Sequence, residues 1–320
     1  MRKAALLYNP DSGGSKQRQR ELQSALEVLR GGGVEADLVP TDSPDHAGDE
    51  ARRAVSSDCD TIFACGGDGT IHNIAQVLAM SPVALAILPM GTANALAHDL
   101  GLPLRVPEAA KAALGGAPRR IALGRVTCLD LSGASITRYF VVAAGIGVDA
   151  HLFYKLHSGA KQRLGMAAYY AKAWNLWFTY PMPRFTAEYV ESESGECKLG
   201  EVTELLAVRI RNFGGVVQEL APGASLDRED IRLILCKTAS RLAYLCYVAR
   251  CVLRRAWKIP GIELVHSNKV SCDYGTGLST SAGPQAQRKI YVEADGELIG
   301  SLPAQLTIVP DALTLLAPPR

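Results

Sequence analysis

Hydrophobic and polar positions keep two different rhythms along this chain. From Arg2 to about Gly116, short apolar runs alternate with stretches of helical period. "KAALLY" reads as a buried strand. "SKQRQRELQSALEVLR" reads as a helix with Leu22, Leu26 and Leu29 on one face, stopped by Gly31 to Gly33. Strand "VEADLV", a helix over 44–56, strand "DTIFAC", a helix over 70–80, strand "VALAIL" and helical pieces to about residue 114 continue the pattern. Such alternation predicts a parallel sheet covered by helices on both faces. From about Pro118 the runs become β-like and are separated by glycine and polar turns: "RRIALGRVTCL", "RYFVVAAGIGV", "RFTAEYV", "VTELLAVRI", "DIRLILC", "KIYVEADGELI" and "AQLTIVP". Helical segments near 160–180 and 238–257 interrupt them, and "SNKVSCDYGTGLSTSAGPQAQ" reads as an exposed loop or ragged hairpin. The fold class is therefore α/β plus β: a three-layer parallel-sheet domain over 1–117 and a mostly antiparallel domain over 118–305, with 306–320 as a C-terminal tail.

Composition narrows the function classes. The 320 residues carry 34 Lys and Arg against 32 Asp and Glu, a net +2, which gives no chain-wide argument for nucleic-acid binding. Eight cysteines, at 59, 65, 128, 197, 236, 246, 251 and 272, form no C-x-x-C pair and no metal-ligand spacing. Reduced thiols and a cytoplasmic location are expected. The apolar run near the N-terminus, Ala4 to Tyr8, is too short for a signal peptide, and no run of 18 apolar residues occurs.

Ligands of open parallel sheets bind at the carboxyl ends of the strands. Three loops rich in Gly, Asn or Thr fall there: "NPDSGG", "CGGDGT" and "PMGTANA". In the second, Gly66, Gly67 and Gly69 allow successive N–H groups to converge on an anion, and a helix starting at Thr70 adds its positive end. Asp68 inside such a loop would be repelled by phosphate unless a metal, a proton or an acceptor hydroxyl lay beside it. The G-x-x-x-x-G-K-[ST] motif is absent. "GIGVDA", Gly145 to Ala150, fits a dinucleotide fingerprint, but no Asp or Glu lies between Asp149 and Glu188 to take ribose hydroxyls, so a close-packed turn between domains is the better reading.

These motifs, taken in order, resemble the diacylglycerol kinase catalytic family. Asn9-Pro10 with Ser12-Gly13-Gly14, "GGDGTI", "LPMGTANALAHDLGLP", "AGIGVDA", "DGE" at Asp295 to Glu297 and "LP" at 302–303 carry the resemblance over nearly the whole chain. It implies a nucleotide domain, a β-sandwich lipid domain, ATP between them, and transfer of the γ-phosphoryl group to a lipid hydroxyl such as that of diacylglycerol, a sphingoid base or ceramide. Asn9, Thr41, Gly66, Gly67, Asp68, Gly69, Thr70 and Thr92 match positions that line the nucleotide, and Mg²⁺ is expected to travel with ATP. Glu297 matches the proton acceptor of bacterial members, and Asp68 the acid given that role in sphingosine kinases. Glu297 ranks first as base, with Asp68 organising phosphate, metal or base. "DGE" between β-like runs is also a strong turn signal. Three positions depart from the family pattern. His72-Asn73 stands where the family has Asn-Glu, and Asn94-Ala95-Leu96 where many members have Asn-Asp-Phe. Arg228 in "SLDREDIRL" takes the place of the middle acid of the magnesium loop of bacterial diacylglycerol kinases. NAD kinases share the GGDG loop, but segments expected of a nicotinamide site are missing here. A non-catalytic protein on the same fold is the other alternative. His72 and His98 read as capping or surface residues.

Two acid-free segments point to a partner. Between Ala150 and Ala187 lie His151, Lys155, His157, Lys161, Arg163, Lys172 and Arg184, with Tyr170, Trp174, Trp177 and Phe178 at helical spacing. Lys237 to Lys258 holds six Lys or Arg and Trp257. Cations beside aromatics fit a helix lying on an anionic membrane surface, so peripheral membrane association is expected.

Overall fold

The computed structural model describes residues 1–10, 16–42, 44–156, 175–275 and 289–318. Two compact units emerge. The first is Met1–Leu123 with Asn212–Gln218 and Val309–Arg320, and the second is Gly124–Arg211 with Glu219–Ile308. The boundary placed at 117 from sequence thus falls at the start of a long strand, β5 (Ala117–Leu129).

In the first unit, β1 (Lys3–Tyr8), β2 (Glu35–Pro40), β3 (Thr61–Gly66) and β4 (Ala84–Pro89) lie in the order β2-β1-β3-β4, all parallel. The end of β14 (Glu297–Ala317) adds a fifth parallel strand, with Thr314 and Leu315 opposite Ala84 and Leu85. β3 and β4 are buried along their whole length, as continuous apolar runs require of strands covered on both faces. Alternation sorts their side chains. Ala4, Leu6, Phe63, Cys65, Ala86 and Leu88 join the core with Leu22, Leu26 and Leu29 of α1 (Lys16–Gly31) and Val106, Ala109 and Ala110 of α5 (Val106–Leu114). Helices α2 (Pro44–Ser56) and α3 (Asp68–Leu78) pack on each other and against β1, β3 and β4. A short helix, α4 (Ala95–Asp99), follows β4.

The second unit is antiparallel. It contains β6 (Ser135–Phe140), β7 (Ala143–Ile146), β8 (Phe185–Glu191), β9 (Cys197–Val202), β10 (Glu204–Val208), β11 (Ile231–Cys236), β12 (Ile262–Tyr274) and β13 (Tyr291–Ala294). The pairings β7-β10-β11-β12-β14-β13-β7 close a ring, because the long strands β12 and β14 pair at Lys269–Cys272 with Ala304–Thr307. The β8–β9 and β5–β6 pairs attach to this ring through β12 and β14. Its core includes Val126, Phe140, Ile146, Phe185, Leu205, Leu233, Val270 and Leu306. Among the described residues it also carries helices α6 (Val148–Leu156) and α7 (Arg241–Val252).

Three local expectations need correction. The run "RYFVVAAGIGV" is two strands rather than one, broken at Val141 and Val142. The stretch expected as a loop from Ser267 is strand β12 as far as Tyr274, with Val270 and Cys272 alternating inward, while 276–288 lie outside the described residues. The helix expected near 160–180 falls mostly outside them too, apart from a helical turn over 175–179.

Candidate active site

Strand order aligns the expected nucleotide residues along one edge. Thr41 follows β2, Asn9 follows β1, Gly66 to Thr70 close β3 and open α3, and Thr92 follows β4, so all stand at carboxyl ends of adjacent parallel strands. Thr41 is buried and its N–H donates to the Tyr8 carbonyl at 2.8 Å; Thr92 is exposed. Ser12 to Gly14 lie outside the described residues.

Helix α3 begins at Asp68, two residues before the start expected at Thr70, because Gly67 takes the N-cap position in extended conformation. A glycine cap has no side-chain acceptor for the first-turn N–H groups, so these remain disposed to bind an anion. Thr70 lies within the first turn, its side chain folded over Gly66, where an added Cβ would approach the Thr70 Cβ at 2.8 Å. Asp68 reaches the loop after β4. Its Oδ1 accepts the Ala95 N–H at 2.9 Å, joining the β3–α3 loop to the start of α4.

The loop after β4 is shaped by Asn94, which the sequence reading left out of the site. Its backbone is left-handed (φ 50°), a conformation Asn tolerates better than most residues. Its Oδ1 accepts the Gly91 N–H and its Nδ2 donates to the Gly91 carbonyl, each at 2.9 Å. The Met90 N–H donates to the Gly66 carbonyl at 3.0 Å. The two loops then touch backbone to backbone: a Cβ on Gly91 would land on Gly67 Cα and lie 2.9 Å from Asn94 Oδ1. Gly91→Ala is expected to part the loops, costing about 1–3 kcal/mol. Thermal melting checks this; a wild-type midpoint would show that the loops can move apart without cost.

His72 is 4 % exposed on the buried face of α3, so it is a core residue rather than the capping or surface residue expected. His98 packs edge-on against Gly214, whose Cβ would overlap the imidazole, and the neighbouring Asp99 accepts the Asn212 N–H at 2.9 Å.

"DGE" belongs to the second unit. Asp295 and Gly296 (φ 49° and 84°) form the two-residue turn joining β13 to β14, with Ala294 opposite Glu297. The Asp295 carboxylate reaches beyond its turn. It accepts N–H groups from Val141 at 2.9 Å, Val142 at 2.8 Å and Ala143 at 3.1 Å, which is why the strand run breaks there. Glu297, half-buried, follows this tethered turn.

Three carboxyls of this unit were not among the expected site residues: Glu204 and Glu293, both buried, and the half-buried Asp149. The "GIGVDA" motif lies wholly within the residues of the second unit. Gly145 leaves room for the Asp149 carboxylate and Gly147 (φ 122°) turns the chain into α6. Glu204 caps that helix, accepting N–H groups from Val148 at 2.5 Å and Asp149 at 3.4 Å. Glu293 accepts the Gly296 N–H at 2.8 Å. Burial first, and the Asp149 charge next, push Glu204 and Glu293 well above the carboxylate range; burial also raises Asp149. The folded chain therefore holds protons that the unfolded chain releases once pH exceeds the ordinary carboxylate value, so these groups lower stability as pH rises. Glu293→Gln, which can still accept from Gly296, is expected to be about neutral at pH 5 and stabilising by about 1–2 kcal/mol at pH 8. Urea titrations at both pH values check it.

The magnesium loop implied by the resemblance does not fit the residues present. Arg228 clasps Asp230 with two of its nitrogens, Nε at 2.7 Å and Nη2 at 2.5 Å, and His266 Nδ1 lies 3.2 Å from the same carboxylate. The guanidinium occupies the place of a cation. Among the described residues no three His, Cys, Asp or Glu side chains converge as metal ligands.

Comparison with known proteins matches residues 3–126 to the model of the diacylglycerol kinase catalytic domain. A Bacillus subtilis (strain 168) diacylglycerol kinase is 30 % identical over 309 residues, covering 95 % of this chain and 93 % of the relative. A Staphylococcus aureus (strain MRSA252) diacylglycerol kinase is 30 % identical over 320 residues, covering 99 % and 93 %. A solved diacylglycerol kinase structure from Bacillus anthracis (strain Sterne) superposes with a TM-score of 0.69 at 18 % identity, covering 99 % of this chain and 97 % of that one, which speaks to fold alone.

Proposed function

This chain belongs to the diacylglycerol kinase catalytic-domain family and is a lipid kinase, and from that premise we propose that it transfers the γ-phosphoryl group of ATP to the hydroxyl of a membrane lipid. The observation that carries the nucleotide half is α3 opening on a glycine N-cap at the carboxyl end of the buried strand β3. Gly66, Gly67, Gly69 and Thr70 would present N–H groups and a hydroxyl to the phosphates. Asn9, Thr41 and Thr92 border the same sheet edge. Mg²⁺, entering with ATP, would neutralise charge developing on the phosphates. Asp68, bonded to Ala95, holds the two glycine loops together, which suits an organising role.

Glu297 is the residue we assign as general base. As its carboxylate takes the hydroxyl proton, the lipid oxygen bonds to the γ-phosphorus and the bond to the β-γ bridging oxygen breaks, releasing ADP. The acceptor class is a lipid alcohol: diacylglycerol, for which the relatives are named, or a sphingoid base or ceramide. Phosphorylation of a panel of these lipids in mixed micelles with ATP and Mg²⁺ tests the reading. Product from one class, lost in Glu297→Gln, supports it; ATP binding without product from any lipid overturns it.

A further inference from the structure

We infer that α7 and the turn after it form a docking surface for an anionic lipid bilayer, an inference that rests on the reading of the acceptor as a membrane lipid. The helix is inside out. An ordinary surface helix buries its leucines and valines and exposes its polar residues. On α7 the inward face is Tyr244, Tyr247 and Cys251, the first partly and the other two largely buried. Tyr244 pairs its hydroxyl with Thr203 Oγ1 at 2.9 Å, Tyr247 donates to the Leu220 carbonyl at 2.8 Å, and Cys251 lies on the same carbonyl. Leu242, Leu245, Val248 and Val252, three or four residues apart, form a stripe that faces solvent, with Leu242 69 % and Val248 48 % exposed. Leu253 and Trp257 extend the stripe beyond the helix. Such a contiguous exposed apolar patch marks an interaction site.

Its surroundings decide the occupant. Between Lys237 and Lys258 there is no acid, and Arg254, Arg255 and Lys258 are exposed beside Trp257. Arg254 is left-handed (φ 51°) where helix ends usually place Gly, and the Arg255 N–H returns to the Arg250 carbonyl at 3.1 Å. The helix thus ends by turning two arginines outward beside the apolar stripe. A groove of about 960 Å³ adjoins them, lined by Trp257, Lys258, Arg250 and Leu199. Its two acids, Glu191 and Glu263, are each paired with a lysine at 2.7 Å, Lys198 and Lys237. Exposed apolar residues bordered by exposed cations and a tryptophan, in an acid-free stretch, match the interface of an anionic bilayer, where the stripe enters the acyl boundary and the arginines meet phosphates.

Co-sedimentation of the full chain with vesicles, without ATP, tests the surface. Vesicles containing phosphatidylglycerol are expected to bind at least about tenfold more tightly than phosphatidylcholine alone, and the difference to shrink with salt. Arg254→Gln/Arg255→Gln should weaken anionic binding by roughly fivefold per charge, and Leu242→Ser/Leu245→Ser by tenfold or more. These positions are exposed, so both variants should melt like the wild type and phosphorylate micellar lipid at its rate. Equal binding to neutral and anionic vesicles, or unchanged binding by both variants, would overturn the inference. So would lipid-free self-association abolished by Leu242→Ser/Leu245→Ser, since a second copy would then cover the stripe. Vesicle binding that meets these expectations supports the surface even if no lipid is phosphorylated, an outcome that would count only against the kinase chemistry.

Discussion

Glu297→Gln is expected to lower kcat on the lipid acceptor by about 10²- to 10⁴-fold while leaving the ATP KM within about twofold of wild type. Glutamine keeps the size and the hydrogen-bonding reach of the side chain but cannot accept a proton from the hydroxyl. The proposed phosphate ligands Gly66, Gly67, Gly69 and Thr70 are all left in place by the substitution, so nucleotide affinity should change little. Single-turnover phosphorylation in mixed micelles at saturating ATP measures it. Near-normal turnover in this variant, with activity abolished in Asp68→Asn, would reverse the roles given to the two acids.

Asp295→Ala, two residues away, should act through structure instead. The carboxylate serves three backbone N–H groups, of Val141, Val142 and Ala143, and no neighbouring acceptor can replace all three. Loss of about 2–4 kcal/mol of stability is expected, seen as a lower urea midpoint at constant slope. Asp295→Asn, which retains one acceptor oxygen, should lose less. The tether also holds the turn from which Glu297 leaves, so turnover should fall in Asp295→Ala even at temperatures where the protein stays folded. A variant unfolding at the wild-type midpoint would show that water satisfies those N–H groups.

The loops proposed to hold the nucleotide were legible as strand-end loops because their signals are local. Glycine spacing, an apolar run before it and a helical period after it are all properties of consecutive residues, and strand order alone then aligned Thr41, Asn9, Gly66 and Thr92. The start of α3 was misplaced by two residues because Thr is the commoner cap and Gly67 a permissible one. His72 was misread since a single polar residue on an amphipathic helix shows its period but not what covers it.

The second unit was less legible for a different reason. The run 138–148 has a continuous β pattern, and only an acceptor from Asp295, more than 150 positions on, breaks it. Asp149, Glu204 and Glu293 lie on three separate elements, so their mutual burial and shared proton affinity exist only once β7, β10 and β13 pair. Arg228 was noticed as a departure, yet its closure on Asp230 depends on side-chain geometry.

By itself the sequence determined the two rhythms, the glycine-rich loops at strand ends and the acid-free cationic stretches, all of which follow from neighbours along the chain, while the ranking of Glu297 rests on the family resemblance. Only the tertiary structure decided that Asp68 ties two glycine loops together, that Asp295 is a tether while Glu297 remains a candidate for chemistry, and that α7 buries tyrosines and exposes leucines. Hydrophobic period shows that a helix has two faces. Which one meets water depends on the hydrogen-bond partners that Thr203 and Leu220 bring to one side of α7.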